Sequence, residues 1–344
     1  MKALILQEKG VLSIGDIPRP AKPGPKDVKI RIRNVGICGS DVHYFKHGSI
    51  GPYVVEKPMV LGHEASGEII EVGELVDDFS VGDRVCMEPG IPNSESTTSK
   101  QGLYNLDPNV RFWATPPIDG CLTEQVIHPA AYTFHLPDTV SFAEGAMVEP
   151  LATGLQAMKK ASVAAGDTAL VVGAGTIGIL TALSALAAGC SQVIISDVDQ
   201  SKLDIAAQYD GLIPVNVSRE NLLETVLEKT QSQGVNSVFE ASGNARAFEN
   251  ITDYLCPNGC LVLIGMPLEK ISFDVVAIQS KEIRIEAVFR YANIFDRAVS
   301  LIASGKIDVK PLISKVYEFD DSIKAYERAV ASVPGDVKVQ IELK

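Results

Sequence analysis

Gly173-Ala174-Gly175-Thr176-Ile177-Gly178 follows a short apolar run at residues 169–172 and opens an Ala/Leu-rich helical stretch. In that setting the first glycine permits a tight turn and the second lets backbone approach a pyrophosphate. The third lets the helix pack on the strand. Free N–H groups and the positive dipole end at the helix start favour phosphate. The same pattern calls for an acid about 20 positions on. Asp197 ends the next apolar run, Val193-Ile194-Ile195-Ser196, 22 residues after Gly175. Its carboxylate would accept the adenosine ribose hydroxyls and repel a 2′-phosphate, which points to NAD rather than NADP. Lys202 is placed either beside the adenine end or as a solvated helix lysine.

A second constellation lies upstream. Gly62-His63-Glu64-Ala65-Ser66-Gly67, then Gly73 and Val76, matches the signature G-H-E-x2-G-x5-G-x2-V at every fixed position, and Gly36-Ile37-Cys38-Gly39-Ser40-Asp41 precedes it. With Glu149-Pro150-Leu151-Ala152, the glycine motif and Val288-Phe289-Arg290-Tyr291, the chain resembles the zinc-dependent medium-chain alcohol dehydrogenases over nearly its whole length. Cys38 to Tyr44 (CGSDVHY), Tyr104-Asn105-Leu106, Ala114-Thr115-Pro116-Pro117 and Phe289-Arg290-Tyr291 resemble the sorbitol/xylitol dehydrogenase branch.

The resemblance implies that Cys38, His63 and Glu64 hold a catalytic zinc, a donor set of thiolate, imidazole and carboxylate that suits the ion and leaves a position open. It places Glu149 either on the metal directly or on its water, and adds Ser40 to the catalytic group. It implies substrate contacts from Tyr44, Glu149, Arg290 and Tyr291. Along the nicotinamide side of the cofactor it places Ile177, Ile264, Gly265, Met266, Val288, Phe289 and Arg290. The implied reaction is oxidation of a polyol, xylitol to D-xylulose or sorbitol to fructose, with hydride passed to NAD. The alternative is another secondary-alcohol dehydrogenase of butanediol or threonine type. A non-enzymatic relative without catalytic zinc is disfavoured because Cys38, His63 and Glu64 are all present. Many family members carry four cysteines for a structural zinc. Their places here hold Asn93, Ser96, Ser99 and Asp107, poor ligands as a set beside thiolate, so no structural zinc is expected. The polar lobe at residues 93–101 is expected to be loosely ordered. His43, His47, His128 and His135 carry no signature role.

These residues need elements to hold them. The first part of the chain is rich in Gly and Pro, with short alternating runs at 28–33, 68–72 and 83–87 that read as a β-rich domain. From about 149 to 286 apolar runs and helical stretches alternate, with the segment 245–255 among them, which implies a doubly wound parallel sheet. The tail has a helical stretch at 294–304 and a final alternating run at 337–343 that reads as an edge strand. The expectation is an α/β protein: a GroES-like β-rich catalytic domain at 1–148 and 287–344, and a Rossmann NAD-binding domain at 149–286.

Length and composition fit that division. A chain of 344 residues exceeds a usual single domain, and 46% hydrophobic with 22% charged residues is an ordinary globular balance. The net charge of −12 and the absence of basic runs argue against nucleic acid. No apolar stretch reaches membrane-span length or forms a signal segment, so a cytoplasmic protein without membrane contact is expected. Six cysteines in a chain this long do not make a disulfide framework. Pro257-Asn258-Gly259 between Cys256 and Cys260 reads as a turn rather than a metal knuckle. A homo-oligomer is expected, a tetramer ahead of a dimer.

Overall fold

The computed structural model describes residues 1–344. The backbone divides into two units, residues 1–149 with 295–344, and residues 150–294. No helix is long and apolar enough to cross a membrane.

In the first unit a seven-stranded sheet carries the core. Its strands run in the order Thr133–His135, Arg84–Met87, Glu64–Val72, Asp27–Gly36, Lys338–Glu342 and Ile313–Glu318, with Gln125–Pro129 also paired to Asp27–Gly36. Alternation along Asp27–Gly36 sends Val28, Ile30 and Ile32 inward, where they meet Leu4, Leu61, Ile69, Val85, Leu122 and Ile341. The last strand, Lys338–Glu342, is an inner strand and not an edge. It pairs antiparallel with Asp27–Gly36 and parallel with Ile313–Glu318, because four of its five residues are buried and both backbone edges need partners. The C-terminus thereby reaches the strand that leads into Cys38.

The second unit is a six-stranded, all-parallel sheet in the order Leu212–Asn216, Gln192–Asp197, Thr168–Val172, Val235–Glu240, Leu255–Leu263, Arg284–Ala287. Buried runs such as Ala169-Leu170-Val171 and Val193-Ile194-Ile195 are covered on both faces, as parallel strands require. Strand order reverses between Thr168–Val172 and Val235–Glu240, the place where such sheets bind ligands.

One local expectation fails. The segment 245–255 is not one helix. It forms two 3-10 turns, Ala245–Phe248 and Ile251–Tyr254, separated where Asn250 adopts φ 56°. The backbone division falls at 294/295, and the N–H of Val288, which bonds the Leu263 carbonyl, keeps the chain after residue 287 on the parallel sheet.

Candidate metal and cofactor sites

Cys38 sits just before the helix Gly39–His47, and His63 and Glu64 lie at the start of the strand Glu64–Val72. Strand pairing sets Gly36 directly opposite Glu64. A Cβ at Gly36 would collide with Glu64 Oε2, so the glycine leaves room for the carboxylate. Gly62, at φ 87°, turns the chain into the ligand pair. One ligand atom each from Cys38, His63 and Glu64 lies within 4.8 Å of the others. His63 and Glu64 are buried and Cys38 half-buried. This donor set of thiolate, imidazole and carboxylate at one point fits a zinc ion with an open face.

Two further residues brace the ligands. Asp41 is wholly buried. Its Oδ2 accepts the Cys38 N–H at 3.2 Å and its Oδ1 the Gly62 N–H at 3.3 Å, so one side chain ties both ligand segments together. The same Oδ1 lies 3.7 Å from His63 Nδ1. Burial opposes a charge on His63, but Asp41 and Cys38 overcome it and raise its pKa well above the ordinary value. Lys338 comes from the far end of the chain. Its ammonium donates to both Glu64 oxygens at 2.7 Å and to the Ile37 carbonyl at 3.0 Å, all buried. Burial works against its charge, and Glu64 and Cys38 reverse that, so its pKa is raised. Neither Asp41 nor Lys338 was singled out from the sequence. The lysine has no local signal, since it lies 274 positions from its partner.

Glu149, in the first turn of the helix Val148–Ala161, is buried but does not join the ligand cluster. Its charge raises the pKa of Glu88 and of Lys338. Ser40 lies half-buried in the first turn after Cys38, and Tyr44 is buried on the same helix. Arg290 takes φ 57° with its guanidinium 4.9 Å from the Phe289 ring, and Tyr291 is buried. Val288 prolongs the strand Arg284–Ala287. The rings of His43 and His47 lie 4.5 Å apart, tilted by 50°, and His43 Nδ1 meets the Ser49 carbonyl. His135 meets the Asp78 carbonyl at 3.0 Å. His128 Nε2 meets the Glu88 carbonyl at 3.0 Å, and burial holds the His128 pKa down to about 4.

The lobe with Asn93, Ser96, Ser99 and Asp107 is ordered, contrary to expectation. Asp107 is buried and accepts the N–H groups of Asn93 at 2.6 Å and Asn109 at 3.1 Å. Ser96 caps the short helix Thr97–Lys100, and its hydroxyl donates to Ser99 Oγ at 2.9 Å. Hydrogen bonds thus join the four positions in two pairs. Tyr104 then anchors the lobe by donating to Glu88 Oε2 at 3.1 Å.

In the second unit the glycine motif bridges the strand Thr168–Val172 and the helix Thr176–Ala188. Gly173 turns at φ 101°, and a Cβ on Gly178 would strike the Gly173 carbonyl. A Cβ on Gly175 would meet nothing within 4 Å, which leaves open space at the helix start where a pyrophosphate fits. Asp197 closes its strand and accepts N–H groups from Ala174 at 2.7 Å, Val198 at 2.7 Å and Asp199 at 2.9 Å. Its carboxylate therefore stands fixed against the glycine loop. Ile177 lies in the first turn of that helix and Lys202 on the helix Gln200–Ala206. Ile264, Gly265 and Met266 follow the strand Leu255–Leu263. The N–H groups of Ile264 and Gly265 bond the Glu240 carbonyl, and Met266 is exposed.

Comparison with known proteins identifies the family. The family model described as alcohol dehydrogenase GroES-like domain matches residues 24–138, and that described as zinc-binding dehydrogenase matches residues 176–304. The chain is 55% identical to the D-xylulose reductase of Morganella morganii, over 97% of this chain and 98% of that one. It is 38% identical to the sorbitol dehydrogenase of Mus musculus, over 99% and 95%. Among solved structures, 2R,3R-butanediol dehydrogenase from Bacillus subtilis superposes with a TM-score of 0.90 at 31% identity, over 99% of both chains. A zinc-binding dehydrogenase from Sinorhizobium meliloti 1021, solved with NADP, superposes with a TM-score of 0.91 at 29% identity, over 99% and 98%. The chain belongs to the zinc-binding alcohol dehydrogenase family.

Proposed function

We propose that this protein oxidises a polyol at a secondary carbinol, xylitol ahead of sorbitol, with NAD as acceptor. The observation that carries the reading is the convergence of Cys38, His63 and Glu64, braced by Asp41 and Lys338. Relatives named D-xylulose reductase and sorbitol dehydrogenase support the substrate class. The reaction removes a hydride from carbon and a proton from oxygen. Zinc held by the three residues would supply Lewis acidity to the alcohol oxygen, and NAD the hydride acceptor.

The chain's own groups do the rest. Cys38 and Glu64 contribute negative charge to the metal position, while Lys338 offsets part of it. Asp41 places its negative charge beside His63, which favours a proton on Nδ1 and leaves Nε2 for a metal. Asp197, fixed by three N–H donors, is set to accept the ribose hydroxyls and to repel a 2′-phosphate. Tyr44, Glu149, Arg290 and Tyr291 are proposed as the polar contacts to the polyol, and Ser40 as a member of the catalytic group. A pocket of such groups rejects a simple alcohol because buried donors would be left unpaired.

We place the protein in the cytoplasm as a homo-oligomer, with a tetramer ahead of a dimer. Leu268, Val275 and Val276, exposed at 84%, 60% and 73%, lie in the segment between the last two strands of the parallel sheet and support self-association. Metal analysis after dialysis tests the metal reading. About one zinc per chain is expected, with chelation abolishing turnover and zinc restoring it. About two would place a second ion in the Asn93–Asp107 lobe. None, with turnover intact, would end the reading.

A further inference from the structure

The strand Val235–Glu240 forms one wall of the crevice where strand order reverses, and its last residue is a wholly buried carboxylate. Glu240 Oε1 accepts the N–H groups of Ser242 at 2.9 Å and Gly243 at 3.1 Å, together with the Ser242 hydroxyl. Its backbone carbonyl accepts the N–H groups of Ile264 at 2.9 Å and Gly265 at 2.8 Å. One residue therefore holds the loops that follow two neighbouring strands. Both loops lie tight against it. A Cβ on Gly265 would stand 2.6 Å from Glu240 Oε2 and 2.3 Å from the Gly243 nitrogen. Ser242 is exposed, and Gly243 and Gly265 are half-buried, so the carboxylate lies one layer of backbone below the surface.

Holding the loops does not by itself require a charge, since a glutamine oxygen accepts the same donors. Burial raises the Glu240 pKa, and the Ser242 and Gly243 donors work against that rise. Donors surround the group and no cation does. A buried carboxylate without a cation is costly and calls for an explanation. The dinucleotide reading supplies one. Asp197 ends the strand on the other side of Thr168–Val172, where the adenosine ribose is placed, and the pyrophosphate fits at the helix start beyond Gly175. The remaining half of the dinucleotide then crosses the switch point onto the ends of Val235–Glu240 and Leu255–Leu263. Its nicotinamide ring carries a positive charge in NAD and none in NADH.

We propose that Glu240 is the buried counter-charge of the oxidised nicotinamide, a residue that shifts cofactor binding towards NAD and away from NADH. It acts through the backbone at Gly243 and Gly265, which keeps the carboxylate out of water and so leaves its field little screened. The inference rests on the NAD reading above. It requires the charge, because the hydrogen bonds to the two loops are already accounted for by any acceptor of the same shape.

The test is Glu240→Gln in the full-length protein, with Kd measured for NAD, NADH and ADP-ribose in mildly alkaline buffer. ADP-ribose has every part of the cofactor except the nicotinamide, so it reports whether the crevice survives the change. The proposal expects NAD to bind roughly fivefold to tenfold more weakly, with NADH and ADP-ribose within about twofold of the unmodified protein. An equal loss for NAD and NADH, or no change in either, would overturn it and leave Glu240 a support for its loops. Should the glutamine variant not fold, Glu240→Asp and Glu240→Asn make the same comparison at equal size. A higher ratio of NADH to NAD affinity in the asparagine variant supports the proposal, and an equal ratio in the two overturns it. If the unmodified protein binds none of the three ligands, the NAD reading itself fails, an outcome distinct from a silent substitution.

Discussion

Replacing Lys338 with methionine probes how Glu64 is shared. The Glu64 carboxylate is buried, and both of its oxygens accept from one ammonium at 2.7 Å. Methionine keeps most of the volume and removes the charge. Stranding one partner of a buried ion pair costs about 3–5 kcal/mol. The lost bond to the Ile37 carbonyl adds a cost common to the metal-free and zinc-loaded forms. Zinc supplies a new counter-charge to Glu64, so the loaded protein should lose less. If the ion recovers about 2 kcal/mol of the deficit, linkage requires zinc to bind roughly thirtyfold tighter. The assay is thermal unfolding with chelator and with excess zinc, paired with chelator competition for the affinity. The expected pattern is a large loss in chelator, a smaller loss in zinc and a lower zinc Kd. Equal losses in both conditions, or weaker zinc binding, would refute the idea that Lys338 and the metal compete for one carboxylate.

Asp197→Ser should narrow the preference for NAD over NADP by at least about tenfold, about 1.4 kcal/mol, read as the ratio of kcat/KM values. A ratio that does not move would remove Asp197 from cofactor selection. Glu88 yields a pH prediction. Burial, helped by Glu149 and Asp296 and opposed by the Tyr104 hydroxyl, pushes its carboxyl up to about 8 from an ordinary 4.5. The folded chain then holds a proton that the unfolded chain releases. The associated stability is full below the unfolded pKa and is lost as pH rises through the folded one. Its upper bound is on the order of 4–5 kcal/mol. Glu88→Gln should therefore flatten the fall in Tm between about pH 4.5 and pH 8, and an unchanged slope would show that other groups set it.

The ligand residues and the glycine loop were legible because their chemistry forces fixed spacing along the chain. His63 and Glu64 are adjacent, and Asp197 must end the strand beside the loop that it supports. What braces them was not legible. Lys338 reaches Glu64 only through strand pairing at long range. Asp107 read as a degraded metal position, yet it organises a lobe by accepting two N–H groups. Periodicity misled at the C-terminus, since the alternation of Lys338–Glu342 looks like an edge strand until its second partner, Ile313–Glu318, is known. The break at Asn250 escaped notice because Asn pays little for positive φ and leaves no stronger mark in sequence.

The central claim is that the family's zinc chemistry is here directed at a polyol. It is tested most directly by kcat/KM for xylitol, sorbitol, 2,3-butanediol, threonine and ethanol, with saturating NAD and zinc-loaded protein. The account predicts xylitol first, sorbitol next and ethanol far behind. Butanediol, threonine or ethanol in first place would contradict it.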